Sequence, residues 1–260
     1  MSDVSISLVG GPTAVLGYAG LTWLTDPTFD PPGAYGNLIK TAGPAFAPEH
    51  IGHVHVVLLS HDQHEDNLDA AGRAALAQAG HVLSTPSAAS RIPGVLGLKP
   101  WHAVTILGAH APVTVTAVPA QHGPDGVSGQ LGEVTGFVLE APGWPTVYFS
   151  GDNSEVDVAA RVAHRFPGVA VALVCAGAAR VSRLGEALLT VDAARTLEVA
   201  ALWPAATVVP VHLDDWAHFS QPRAAFREAV RDAPGRDRIV LLEKGASTRL
   251  PRASAPLVRA

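Results

Sequence analysis

A single cysteine, Cys175, leaves the chain without a partner for an intrachain disulfide. Basic runs are missing too. Eighteen Lys and Arg stand against 23 Asp and Glu, a net charge of -5, and no cluster of them marks a nucleic-acid or membrane surface. A small-molecule partner is the expectation. The longest apolar stretch, Val169 to Ala179, is far short of the ~20 residues needed to cross a bilayer. Met1-Ser2-Asp3-Val4 shows neither the basic n-region nor the apolar h-region of a secretory leader. These absences predict a cytoplasmic protein. Repeats, linkers and low-complexity segments are also lacking, and 260 residues with 48% hydrophobic content suffice for one large core. The expectation is a single domain over residues 1–260.

What is present is an alternation of short β-rich runs with Ala-rich helical patterns, which reads as α/β. Strands are expected over Ile6–Val9, Thr13–Leu16, Leu21–Leu24, Val54–Leu59, Val82–Ser84, Thr105–Leu107, Val113–Pro119, Gly136–Glu140, Thr146–Ser150, Val169–Cys175, Thr207–Val211 and Ile239–Leu242. Helices are expected over Leu68–Ala79, Val156–Arg165, Val191–Leu202 with Thr190 as N-cap, and Gln221–Val230. The stretch from Asp26 to Pro48 is dense in Pro and Gly and reads as a long irregular loop, a kind that is usually functional when ordered.

The chemistry concentrates where strands end. Ser60-His61-Asp62-Gln63-His64-Glu65-Asp66-Asn67-Leu68-Asp69 follows the run Val54–Leu59, so a knot of metal-capable side chains sits between a strand and a helix. His122 follows Val113–Pro119, Asp152 follows Thr146–Ser150 and His212 ends Val209-Pro210-Val211-His212. Strand ends along one sheet edge converge, which is where α/β proteins place their sites. Imidazole with carboxylate suits zinc, iron or manganese. Each residue alone has a bland reading, as a helix-start charge for Asp66 or a turn for Gly151-Asp152. Four such segments in order favour metal binding.

That order resembles the metallo-β-lactamase-fold superfamily. Leu24-Thr25-Asp26-Pro27-Thr28-Phe29, Leu59-Ser60-His61 and Pro210-Val211-His212 look like its L-ascorbate-6-phosphate lactonase-like branch. The resemblance runs from Ile6 to about Leu250 and implies a four-layer αββα sandwich with one or two metals at the sheet edges. The superfamily cluster is His-x-His-x-Asp-His. Anchoring on Leu68-Asp69 puts Asp62, His64, Asp66 and Asn67 on the four motif positions; anchoring on the strand makes His61 the first ligand, with one residue inserted. His64 and His122, with His61 or Asp62, would form a first site, Asp66 and His212 a second, and Asp152 would bridge. Asn67, a weak ligand, stands in the last motif position.

The implied activity is a metal-dependent hydrolase, binding one or two Zn2+ or Mn2+ ions and directing a metal-activated water at a small-molecule ester, lactone or related substrate. Asp66 and Asp152 are the expected catalytic carboxylates, Asp66 as a proton acceptor. The alternatives are a dinuclear phosphodiesterase and a metal-binding protein without turnover. His218, Trp216 and Arg180 are expected to contact substrate. Asp26 is a candidate partner of the ligands, His53 and His55 read as strand residues, and Cys175 reads as a small buried apolar residue. Gly10-Gly11-Pro12 makes no phosphate loop, because Pro12 removes a donor.

Overall fold

The computed structural model describes residues 3–250; the outermost residues of the expected 1–260 domain, and any statement about a leader at Met1-Ser2, lie outside the described range. Three strands, β1 (Val4–Gly10), β2 (Thr13–Tyr18) and β3 (Leu21–Thr25), open the chain as an antiparallel meander. Within the stretch expected to be irregular, β4 (Gly33–Tyr35) and β5 (Leu38–Lys40) pair as a hairpin. The chain then adds β6 (Val56–Leu58), α1 (Ala70–Leu76), β7 (His81–Ser84), α2 (Pro86–Arg91) and β8 (Val95–Gly97), with the strands continuing parallel from β3.

A second sheet follows. Its elements are β9 (Ala103–Leu107), β10 (Pro112–Pro119), the short helix α3 (Ser128–Leu131), β11 (Thr135–Glu140), β12 (Thr146–Phe149), α4 (Val156–Arg165), β13 (Val169–Cys175), α5 (Ala193–Leu202), β14 (Thr207–Val211) and α6 (Arg223–Val230). Strand order is β14-β13-β12-β11-β10-β9. Finally β15 (Ser247–Leu250) returns to pair with β1 and becomes the edge of the first sheet.

The two sheets face each other. Ile6, Leu16, Trp23 and Leu58 from the first meet Val115, Phe137, Phe149 and Leu173 from the second in one core. The period of two in β13 explains its composition: Val171, Leu173 and Cys175 point into that core, while Ala172 and Val174 point outward onto helices. All seven of its residues are buried, as a parallel strand covered on both faces requires. On the outer face of the second sheet, Val162, Val199 and Phe226 of α4, α5 and α6 join this outer layer. Leu76 of α1 packs with Leu24, Val57 and Val82 on the outside of the first. The layers therefore run helix, sheet, sheet, helix, with Cys175 a buried apolar side chain.

Several expected boundaries move. The cap of α5 is Asp192, which accepts from the Arg195 N–H, while Thr190 Oγ1 instead accepts from the Ala179 N–H. Asp69 caps α1 by accepting from the Gly72 N–H, so that helix begins at Ala70. The strand expected over Ile239–Leu242 reduces to a single bridge between Val208 and Ile239. One reason is that the Leu242 carbonyl is taken by the Arg223 guanidinium rather than by a neighbouring strand.

Candidate metal centre

Four turns bring the ligand residues to the same end of the two sheets. The first, after β6, carries His61 to Asn67 and is pinned by Asp26 at the end of β3. Asp26 Oδ1 accepts from the Ser60 N–H at 2.6 Å, and Asp26 Oδ2 accepts from the Ser60 hydroxyl at 2.7 Å and from Asn67 Nδ2 at 3.0 Å. The second turn, after β10, carries His122. The third is the Ser150-Gly151 corner after β12. Gly151 sits at φ +55°, and an added Cβ would lie 2.4 Å from the Thr135 carbonyl oxygen, so only glycine turns the chain there to present Asp152. The fourth presents His212 at φ +58°, a left-handed conformation that is costly for a residue with a Cβ and that clusters at functional sites. The His212 N–H is held by the Gly11 carbonyl at 2.7 Å.

The result is two groups of three. His61, His64 and His122 form one and Asp66, Asp152 and His212 the other, each group with its candidate ligand atoms within 4.8 Å of one another. Ring centroids in the first are 4.8, 5.2 and 5.4 Å apart. In the second, His212 Nε2 lies 3.3 Å from Asp66 Oδ2 and 3.6 Å from Asp152 Oδ2. Neither approach is aligned as a hydrogen bond: both His212 ring nitrogens and Asp152 Oδ2 are buried without a hydrogen-bond partner among the described residues. Leaving such atoms unpaired costs about 1–3 kcal/mol each. The donor set therefore fits a metal that would satisfy them together.

Neighbours fix which nitrogen faces inward in two of the imidazoles. The Ser60 hydroxyl donates to Asp26, so its oxygen is free to accept from His61 Nδ1–H at 2.9 Å, leaving Nε2 with its lone pair. His122 Nδ1 donates to the Leu189 carbonyl at 2.8 Å, with the same consequence. Sequence reasoning missed Leu189, since nothing local marks a carbonyl 67 residues away as a partner.

The model of the beta-lactamase superfamily domain matches residues 22–213, about three quarters of the chain and all of the six candidate ligands. The chain belongs to the beta-lactamase superfamily. A curated relative in Methanosphaerula palustris, a metal-dependent hydrolase, is 30% identical over 158 residues, which cover 58% of this chain and 64% of that protein, less than two thirds of its length. Among solved structures, an isothiocyanate hydrolase from gut bacteria of Delia radicum superposes with a TM-score of 0.82 at 22% identity, over 95% of this chain and 99% of that one. A possible metal-dependent hydrolase from Veillonella parvula gives 0.82 at 18% identity with the same coverage. These likenesses show the metallo-β-lactamase fold.

The two alternatives for the first motif position, His61 and Asp62, are placed differently. His61 joins the first group. Asp62 does not: both its oxygens are bound by the Arg91 guanidinium of α2, at 2.9 Å from Nε and 2.5 Å from Nη2. The bidentate guanidinium engages both oxygens and places Asp62 outside the cluster, against the expectation that it could ligate. Asn67, in the last motif position, is an amide beside the second group. Its Nδ2 donates to Asp26 and, at 3.3 Å, to Asp152 Oδ1, so it orients a candidate ligand.

His64 and His122 of the first group form part of the lining of a cavity of about 740 Å³, which Asp66 and His218 also reach. Leu38 of the β4–β5 hairpin, Leu131, Val181 and Leu189 supply apolar wall; Gln63 and Arg180 supply polar wall. Arg180 lines the cavity, with one guanidinium nitrogen on exposed Glu186 and Nε buried without a partner among the described residues. Trp216 does not line it. That ring is buried in an apolar cluster with Leu131, Leu189 and Phe219, edge-on to Tyr35 at 6.2 Å, and the expectation of substrate contact is corrected accordingly.

Electrostatics separate the groups. Burial, with His64 close by, holds the His61 imidazole well below its usual range, and burial likewise lowers His122, so these two are neutral and ready to donate lone pairs. Burial disfavours ionised Asp66 and Asp152, but His212, joined by His218 at Asp66 and by His122 and His61 at Asp152, outweighs it and holds both carboxyls well below the ordinary value. Burial also works against an imidazolium at His212, yet Asp152 and Asp66 push it up to about 10. Asp26 is pushed up to about 7 by burial, against the pull of its three donors, and above that pH it is the acceptor described.

Proposed function

We propose that the protein is a metal-dependent hydrolase of a small-molecule ester, lactone or related substrate. The observation that carries the reading is the pair of ligand groups set beside one large cavity, whose wall His64, His122 and Asp66 reach. His61, His64 and His122 would hold a first ion and Asp66, Asp152 and His212 a second, with zinc or manganese suiting this mixture of imidazole and carboxylate. When bound, such an ion supplies Lewis acidity and a water acidified to near neutral pH.

The chain's own residues do the remaining work. Ser60 and the Leu189 carbonyl keep His61 and His122 in the tautomer that offers Nε2. Asn67 holds Asp152 in orientation. Asp66, whose Oδ2 faces both His212 and His218, is placed to take up a proton from the attacking water. Leu38, Leu131 and Leu189 receive the apolar part of the substrate and Arg180 its polar end. A cavity of about 740 Å³ suits a small molecule. Resemblance of the Leu24–Phe29 and Pro210–His212 segments to lactonase-like proteins supports a lactone or ester. We extend the reading to a cytoplasmic location, on the charge balance; among the described residues no helix is long and apolar enough to cross a membrane.

A second reading, a dinuclear phosphodiesterase, is favoured by one observation: the second group has three ligands without Asn67. The test is metal analysis combined with a panel of lactones, esters, isothiocyanates and phosphodiesters, before and after chelation. Lactone or ester turnover that vanishes with chelator and returns with zinc or manganese supports the first reading. Phosphodiester turnover at two equivalents supports the second. Tight metal with no turnover of any substrate overturns both.

A further inference from the structure

The second ligand group has an unassigned neighbour. Asn67 occupies the motif position where the superfamily cluster has its last histidine, and its amide turns an N–H face towards Asp26 and Asp152. Rotating that amide would set its oxygen against two carboxylates, so the orientation is fixed; the N–H face cannot ligate, and the Oδ1, buried without a hydrogen-bond partner among the described residues, is a weaker donor than an imidazole. An imidazole comes from elsewhere. His218 Nε2 lies 3.1 Å from Asp66 Oδ2, the same oxygen that His212 Nε2 approaches at 3.3 Å. Two atoms bound to one ion at ~2.1 Å each sit roughly 3 Å apart, the spacing seen between His218 Nε2 and Asp66 Oδ2; His218 stands outside the cluster of Asp66, Asp152 and His212, so binding an ion would draw its ring in.

His218 is also held in place. Its ring packs on Phe219 with centroids 4.6 Å apart and on Trp216 at 6.4 Å. The loop that carries it is stitched on both sides, by Ala217 N–H to the Ile39 carbonyl at 2.9 Å and by Arg180 N–H to the His218 carbonyl at 3.0 Å. Its side chain is 13% exposed, on the cavity wall, and its Nδ1 is buried without a hydrogen-bond partner among the described residues. We propose that His218 is a ligand of the second metal, supplying the imidazole that Asn67 does not; the inference rests on the reading of this site as a metal centre.

Cobalt(II) titration of the full-length apoprotein tests it. In His218→Ala the second equivalent should bind ten- to a hundredfold more weakly while the first is unchanged, with the d–d spectrum of the second ion altered. In His218→Cys a thiolate-to-cobalt charge-transfer band should appear with the second equivalent, an outcome that a neighbouring but non-ligating residue does not produce. Thermal melts of the apo variants separate misfolding from lost binding, and the cysteine variant carries the test if the alanine variant does not fold. Unchanged affinity for both ions in His218→Ala, a wild type that takes up one ion, or a cysteine variant without the band overturns the proposal. Failure of the wild type to bind any metal would instead remove the metal-centre reading itself.

Discussion

Asp26 grips Ser60 twice, through its backbone N–H at 2.6 Å and its hydroxyl at 2.7 Å, and through that hydroxyl it sets the proton on His61. The same carboxylate takes a hydrogen bond from Asn67, which reaches on to Asp152. One buried anion thus touches the supports of both ligand groups. Asp26→Ala strands three buried donors, at about 1–3 kcal/mol each, and frees two ligands to rotate. It should lower the apoprotein melting temperature and weaken metal binding roughly ten- to a hundredfold. Competition with a chelating dye measures the second effect, and unchanged affinity counts against the relay.

Asp62 and His61 are neighbours with opposite predicted fates. Because Arg91 holds the Asp62 carboxylate, Asp62→Asn should keep full metal content, while His61→Ala should lose the ion held by the first group. Elemental analysis of the two variants, purified side by side, decides. Loss of metal from Asp62→Asn would restore the register in which Asp62 ligates.

Lys40 and Asp69 form an ion pair at 3.0 Å with side chains 2% and 0% exposed, and the Lys40 ammonium also sits 5.4 Å over the Trp216 ring. The pair fastens the β4–β5 hairpin, whose Leu38 faces the cavity, to the cap of α1. Lys40→Met leaves a buried carboxylate without its cation and should cost about 3 kcal/mol in urea unfolding. KM should rise several-fold as the hairpin loosens. An unaltered unfolding midpoint would show that the three backbone donors at Phe29, Asp30 and Gly72 suffice for Asp69.

The His212 imidazole, raised from 6.5 to about 10 by its two carboxylates against the effect of burial, carries a proton at neutral pH in the apoprotein. A group raised in this way stabilises the folded apoprotein fully below pH 6.5, and that contribution fades as pH climbs through about 10. Ligation requires the proton to leave. Loading of the second group should therefore release about one proton at pH 7.5, with affinity rising up to roughly tenfold per pH unit below pH 10. Calorimetry in buffers of different ionisation enthalpy measures the release; none at all would place His212 outside the coordination sphere.

The parts legible in the sequence were those with local signatures. Apolar runs that end in His61, His122, Asp152 or His212 announce strand ends, and strand ends converge whatever the loops between them do. The β4–β5 hairpin was hidden because three-residue strands among Pro31, Pro32, Gly33 and Gly36 show no alternation. Strand β15, Ser247-Thr248-Arg249-Leu250, was hidden because a polar edge strand has no apolar period to read. The fates of Asp62, Trp216 and Thr190 depend on partners distant in sequence, Arg91 of α2, the apolar cluster around Leu189 and the Ala179 N–H respectively. Register in the cluster could not be set from spacing because His61 and Asp62 are adjacent and either satisfies the motif. What separates them is which way the turn after β6 rotates, and Asp26 and Arg91 decide that from opposite sides.

The most direct measurement is an anomalous-difference map from metal-soaked crystals, collected above and below the absorption edge of the metal. The account predicts one peak enclosed by His61, His64 and His122 and a second at Asp66, Asp152 and His212. A map without density at either group, from protein soaked at millimolar metal, would contradict it.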